Sequence, residues 1–488
     1  VNNAMFMRLT NRLPCNYQSV VKIMVKVLSV GSILALGLCL GQQSVHAQSS
    51  GENKNEPLTA NQQIQSLSQS LLNLPTDEWS VHAQFTYLNQ WHPSFAAPYS
   101  GDNSLNASSE RKSTSDVTWY LGRKLWQGAE FYLNPELDQG FGLTNTLGVS
   151  GFTSGEAYKV GNNKPYMRYP RAFLRQTIDL GGEPLQLMND YNQVDKTISS
   201  NNLIWTVGKF SVVDIFDTNT YAHDPRADFM NWTLLDSGAF DYAADSWGFS
   251  SGAALEWNQD WWTLRSGLFT LSETPNSEKL DLSGKQFEWV QEIEARHTWA
   301  GQPGKIKLLG FINKGYMGSY NDAVSAYNSG QFGSVDTALV RKYNNRGGYA
   351  LNIEQDINID MGAFFKWSHN DGRKETYDFT DVNQSLATGL SMKGDFWGRV
   401  QDTLGVGWVN NKLSQEAKNY FKSGGLGVLI GDGRLNYSDE QITEIFYNLN
   451  LMKSVAVTLD YQRVVNPAYN KDRGPANVLG FRLHIDLL

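Results

Sequence analysis

Gly248-Phe249-Ser250-Ser251-Gly252 has the G-x-S-x-G spacing that exposes a nucleophilic serine when it sits on a strand–turn–helix. Here it falls inside an alternating stretch, 246–257, with no helical pattern after it, so it reads as small residues on a crowded wall. A barrel enzyme acting on lipid would need a serine and a histidine paired on one outer face. Ser80 and His82 share a polar face, whereas Ser368 and His369 alternate to opposite faces. His82, His92, His223, His297, His369 and His484 show no ligand spacing, and no H-E-x-x-H, P-loop or dinucleotide fingerprint occurs. Asp214, Asp217 and Asn219 are a weak calcium set that lacks the glycine of a calcium loop. No catalytic residue, metal or cofactor is expected.

What remains is charge interleaved with aromatic rings. Arg171, Phe173 and Arg175 recur at every second residue and so share one face of a strand; Arg265 lies on another. Glu288, Glu292, Glu294 and Arg296 share the polar face of a third. An arginine facing lipid at mid-bilayer would cost roughly 2–4 kcal/mol, so these side chains must face a wet lumen unless they sit at a membrane edge. The connection 212–245 carries Asp214, Asp217, Asp224, Arg226 and Trp232, and is the first candidate to fold inward and narrow that lumen. Guanidinium forks and carboxylates supply many donors and acceptors, and aromatic faces stack on the C–H surface of sugars. Together they can replace the water shell of a polyhydroxyl solute while keeping each contact weak enough for exit. The alternative is that the charges only wet a general or anion-selective pore.

The elements that must position these groups are strands. The chain has 488 residues, with 41% hydrophobic and 18% charged residues, 44 Gly, 15 Trp, 22 Tyr and 23 Phe, which fits an all-β protein and excludes a bundle of membrane helices. The formal charge of −8 argues against a nucleic-acid partner. Arg8, Arg12, Lys22 and Lys26 precede an apolar run over 27–40, and Val45-His46-Ala47 offers a cleavage site, so 1–47 reads as a secretory signal peptide. Its removal takes both cysteines, Cys15 and Cys39, and moves the formal charge from −8 to −12. Residues 48–78 read as an N-terminal periplasmic segment with one short amphipathic helix over 60–73, and 79–488 as the barrel.

From Trp79 onward the hydrophobic period is two. Tyr349, Leu351, Ile353, Ile357 and Ile359 alternate with Ala350, Asn352, Glu354, Asp356, Asn358 and Asp360. Sixteen such segments can be placed, beginning near 79–88 and ending near 477–488. Short and long gaps alternate between them, as periplasmic turns and extracellular loops do in an outer-membrane barrel. The gap 180–202 breaks the pattern, being far too long for a periplasmic turn. Trp79, Trp119, Tyr120, Trp126, Trp257, Trp261, Trp262 and Trp299 are expected near strand ends, as interfacial girdles. The fold class expected is a transmembrane antiparallel β-barrel. An adhesin would show a dominant repeat or passenger region, and none is visible.

Several stretches resemble the OprB-type carbohydrate-selective porin family. They include His82-Ala83-Gln84-Phe85-Thr86, Pro98-Tyr99-Ser100-Gly101, Arg171-Ala172-Phe173-Leu174-Arg175-Gln176, Gly208-Lys209-Phe210-Ser211, His223-Asp224-Pro225-Arg226, Phe229-Met230-Asn231-Trp232 and Asn470-Lys471-Asp472-Arg473-Gly474-Pro475. The resemblance implies a sixteen-stranded barrel of the bacterial outer membrane that passes sugars, such as monosaccharides, by facilitated diffusion. The partners expected are the carbohydrate solute, outer-membrane lipid and the barrel-assembly machinery during biogenesis; the sequence leaves open whether the barrel works alone or as a homo-oligomer.

Overall fold

The computed structural model describes residues 73–379 and 381–487. The signal peptide expected over 1–47, and all but the last residue of the helix expected over 60–73, lie outside them. Sixteen strands close into one barrel in which each pairs antiparallel with its sequence neighbours. They are β1 (Trp79–His92), β2 (Glu110–Trp126), β3 (Ala129–Gly140), β4 (Asn162–Leu187), β5 (Lys196–Phe210), β6 (Ser250–Asn258), β7 (Trp262–Thr270) and β8 (Phe287–Trp299) in the first half. The second half holds β9 (Gln302–Met317), β10 (Lys342–Asn358), β11 (Met361–Asn370), β12 (Gln384–Gly394), β13 (Arg399–Lys412), β14 (Glu440–Met452), β15 (Val455–Val465) and β16 (Ala476–Asp486). β16 pairs with β1 from Gln84 opposite Asp486 to Trp91 opposite Leu479, which leaves no free sheet edge.

Alternation holds because one face of each strand meets lipid and the other meets the interior. Leu268, Ile293, Leu308, Ile312 and Leu459 are exposed on the outside, while Glu288, Glu292, Lys307, Asn313 and Asp460 are buried on the inside. Exposed Trp126, Trp261 and Trp299 mark the turn end, and exposed Tyr169 and Tyr343 the loop end. Trp119 and Tyr120 do not belong to these girdles. β2 runs on to Trp126, so both lie well inside the strand and both are buried.

Each expected strand segment overlaps an observed strand. The anomaly at 180–202 is resolved by strand extension: β4 and β5 continue pairing as far as Leu187 opposite Lys196, leaving 188–195 as the connection. The extension is irregular, with register shifts around Gly181, and Gly181 and Gly182 take φ of +94° and +100°. Such backbone favours glycine and lets the hairpin bend.

The interior is filled by loops. Residues 211–249 fold inside the wall, and Phe216, Phe229 and Leu234 are fully buried against strand residues such as Phe269, Phe364 and Phe446. Each such burial is worth about 1.5–3 kcal/mol. The wall thins where the loop presses on it: a Cβ at Gly407 would lie 2.8 Å from Phe229 and 3.0 Å from Leu234. The loop 141–161 is drawn in beside it. Glu440 accepts the backbone N–H of Ser150 and Gly151 at 2.9 and 2.7 Å, and Trp232 donates its backbone N–H to the carbonyl of Phe152 at 3.0 Å.

Candidate pore constriction

A cavity of about 500 Å³ opens between the inner faces of β1, β2, β4 and β5 and the two inward loops. Arg171, Phe173 and Arg175 project into it from β4, while Asp214, Asp224, Arg226 and Trp232 reach it from the loop 211–249. Alternation on β4 therefore brings the three residues to one surface, as their spacing predicts.

The charges are paired at close range. Arg171 donates both Nε and Nη2 to Asp214, at 2.7 and 2.6 Å. The same carboxylate accepts the backbone N–H of Ser211 at 3.0 Å, which fixes the first turn of the loop. Arg226 lies among Asp116, Glu136 and Glu156 at 3.1, 3.2 and 3.1 Å, and donates to the Tyr120 hydroxyl at 3.2 Å. Burial alone would lower its pKa, but Asp116 and Glu156 hold the guanidinium well above its ordinary value, so it stays charged. Nearby, burial and then Lys366 hold His223 below its ordinary value.

Aromatic rings form another part of the lining. Phe152, Trp232 and Phe379 stack in series, with centroids 5.0 and 4.9 Å apart and planes 13° and 7° apart. On the arginine side, Arg171 sits 5.0 Å over Phe249 and Arg175 sits 5.3 Å over Phe173. Cations and apolar faces thus line one cavity of small-molecule size, for which about 300–1,000 Å³ is usual.

The other charged candidates lie away from this cavity and hold the wall and loop. Arg265 bridges Glu256, Glu292 and Glu294 at 3.1, 2.6 and 3.1 Å. Glu292 accepts the backbone N–H of Asp217 at 2.8 Å, so the pair anchors the loop. Arg296 binds Glu294 at 2.6 Å and the carbonyl of Trp262 at 2.9 Å, near the turn end. Glu288 is fully buried. Asp217 turns inward and accepts from the Ser237 hydroxyl at 2.9 Å and from Asn352 at 2.8 Å. Since Asp214 binds Arg171 and Asn219 donates to Asn352 at 2.7 Å, the weak calcium set is dispersed among other partners.

Many inward polar groups serve the loop backbone in the same way. Glu444 accepts the N–H of Met230 and Asn231 at 2.5 and 2.9 Å, and Glu354 accepts that of Thr220 at 2.8 Å. Arg482 donates to the carbonyls of Pro225 and Asp228 at 2.6 and 3.0 Å. A folded loop inside a barrel needs these partners, because its buried N–H and C=O groups have little water to bond.

The serine and histidine pairs find structural partners too. Ser80 donates to the carbonyl of Asp190 at 2.8 Å, and His82 lies 2.7 Å from the Asn189 side chain. Ser250 of the G-x-S-x-G stretch donates to the carbonyl of Thr270 at 2.6 Å. Cavity residues that alternation alone did not single out include Tyr120, Glu156, Tyr191 and Phe249.

The model of the family "Carbohydrate-selective porin, OprB family" matches residues 102–487. Among curated proteins the chain is 20% identical over 318 residues to Porin AaxA of Chlamydia pneumoniae, covering 62% of this chain and 61% of that one. The chain thus matches about three-fifths of that relative's length. Among solved structures, OprB of Pseudomonas putida at high pH superposes with a TM-score of 0.65 at 15% identity, covering 86% of this chain and 96% of the other. A likeness at that identity speaks for the fold alone. The family match spans most of the barrel, and the chain belongs to the OprB family of carbohydrate-selective porins, outer-membrane channels rather than enzymes.

Proposed function

We propose that this channel passes monosaccharides or similar small polyhydroxyl solutes by facilitated diffusion, and that the cavity bounded by Arg171, Arg175, Arg226 and the Phe152–Trp232–Phe379 stack is where the solute is selected. The juxtaposition of guanidinium forks with stacked rings carries this reading. A sugar ring has hydroxyl edges that exchange hydrogen bonds with the forks and carboxylates, and C–H faces that lie on the rings. No residue needs to react, and the concentration gradient drives flow. Each contact is exchanged against water, so binding stays shallow enough for release.

Outer-membrane lipid surrounds the apolar belt in this reading, and barrel-assembly machinery is the partner during biogenesis.

The test is conductance of the purified full chain in planar bilayers, titrated with glucose and with a charged solute of similar size. Saturable closure by glucose is expected. Conductance indifferent to glucose but altered by the anionic solute would favour an anion-selective pore. That second reading has its own observation, since Arg175 lines the cavity and bonds a backbone carbonyl rather than a carboxylate.

A further inference from the structure

The connection 188–195 lies at the turn end of the barrel, where the other links are only a few residues long. Instead of staying at the rim, it is threaded into the lumen. Asn189 donates to the carbonyl of Trp79 at 2.7 Å, Ser80 donates to that of Asp190 at 2.8 Å, and Asn134 donates to the side chain of Asn192 at 3.0 Å. Asn134 pairs opposite Arg171, so the tip has reached the level of the arginine surface. Arg175 confirms this by donating to the carbonyl of Asn192 at 2.9 Å. Tyr191 stacks on Tyr120, with centroids 4.4 Å and planes 25° apart, meets His82 edge-on at 5.4 Å, and bonds Asp486 through its hydroxyl. Tyr191, Asn192 and Gln193 then line the same cavity as Arg171, Arg175 and Arg226.

We infer that the tip 188–195 is the inner, solute-contacting wall of the path, and that Tyr191 is a specificity-determining residue for the sugar. The inference rests on the sugar-channel reading above. Its chemistry is a braced aromatic ring beside a guanidinium: Tyr191, backed by the buried Tyr120, offers its remaining ring surface to the C–H face of a sugar, and Arg175 stands next to it to bond the hydroxyl edge. Contacts on both sides of the tip (β1 and β3) hold the ring in place, so it acts as a fixed wall. A hairpin that merely decorated the rim would leave Tyr191 in the periplasm. The glycine bend at Gly181 and Gly182 directs it into the lumen instead.

Single-channel conductance and glucose block, measured on the full chain, test this with Tyr191→Ala, Tyr191→Leu and Tyr191→Phe. Tyr191→Ala should raise the sugar-free conductance and weaken glucose block by about tenfold, the upper range of one aromatic contact. Tyr191→Leu keeps bulk without a flat face, so block should weaken by about the same factor. Tyr191→Phe keeps the ring and should restore block to within about twofold of the parent. Folding is checked by heat-dependent gel migration, and the Leu variant decides the matter if the Ala variant does not fold. Unchanged glucose block in folded Ala and Leu variants overturns the inference, even if conductance rises. A parent channel that glucose does not block overturns the sugar reading itself, and that result is seen before any variant is compared.

Discussion

Arg171 grips Asp214 through two parallel bonds of 2.6 and 2.7 Å, joining the barrel wall to the first turn of the inward loop at the cavity edge. The pair is nearly neutral as it stands, so removing either partner leaves the other charge at the constriction. A unit charge about 4 Å from a passing ion in water is worth about 1 kcal/mol, roughly a fivefold change in permeability ratio. Asp214→Asn should raise anion over cation permeability, and Arg171→Ala should lower it. Reversal potentials under a salt gradient read the sign directly. Shifts in the same direction for both variants would remove the pair from the ion path.

Arg226 is the cation that holds three carboxylates together, Asp116, Glu136 and Glu156. Truncating it takes the cation from Asp116 and Glu156, while Glu136 keeps Arg168 at 2.6 Å; breaking a buried pair in this way loses about 3–5 kcal/mol in comparable sites. The sixteen strands hold the barrel independently, so the damage should stay local. Arg226→Ala should migrate as a folded barrel, yet show a larger conductance and new proteolytic cleavage within 211–249. Arg226→Lys keeps the charge but cannot span the three acceptors as a planar fork, and should fall between the two. Parental conductance in Arg226→Ala would mean that the loop is held without this cation.

The strands were legible because lipid and the interior impose opposite chemistry on alternate residues, and the loop 212–245 stood out by its charges and rings. What each inward charge binds was not legible. Glu292 and Glu294 have the same pattern as a pore-lining pair, but their partners, Asp217 and Arg265, are set by how the loop packs. Arg168 shows a second limit. Asn134 and Glu136 pair with Arg171 and Arg168, so an extra residue intervenes around Tyr169 and Pro170 and the parity of β4 changes there. Arg168 therefore turns inward to bind Glu136 at 2.6 Å, where strict alternation from Arg171 would send it to lipid. For the tip around Tyr191 a signal was present, since a glycine pair followed by an overlong turn marks a bent hairpin. Its direction depended on partners in β1 and β3, distant in sequence.

Lys366 is buried within the wall and donates its ammonium group to the carbonyls of Ala222, Leu234 and Leu235 in the inward loop. A charged donor to a buried carbonyl contributes about 1.5–3 kcal/mol, and a carbonyl left bare loses its desolvation besides. Lys366→Met fills a similar volume without a donor. Its channels should show excess open-channel noise and faster hydrogen exchange across 222–235, while the strand amides stay protected. Exchange unchanged in that segment would show that apolar packing around Phe229 and Leu234 suffices to hold the loop.

Asp228 gives the loop a pH dependence of defined sign. Burial, and then the neighbouring Asp224, push its carboxyl up to about 6, although it accepts the backbone N–H of His223 and Asp224 at 3.1 and 3.0 Å. An unfolded aspartate titrates near about 3.9. The folded loop therefore holds the proton more tightly than the opened loop does. Its contribution to stability is complete below about pH 4 and is lost as the pH rises through about 6. Hydrogen exchange across 223–235 should accordingly reveal a loop that opens more readily at about pH 7.5 than at about pH 4.5, after correction for the intrinsic rate. Asp228→Asn carries no titrating proton and should flatten that difference, with the larger gain in protection at the higher pH. If the Asn variant keeps the parental slope, the pH dependence belongs to other carboxyls packed against the loop, and Asp228 serves only as a turn acceptor.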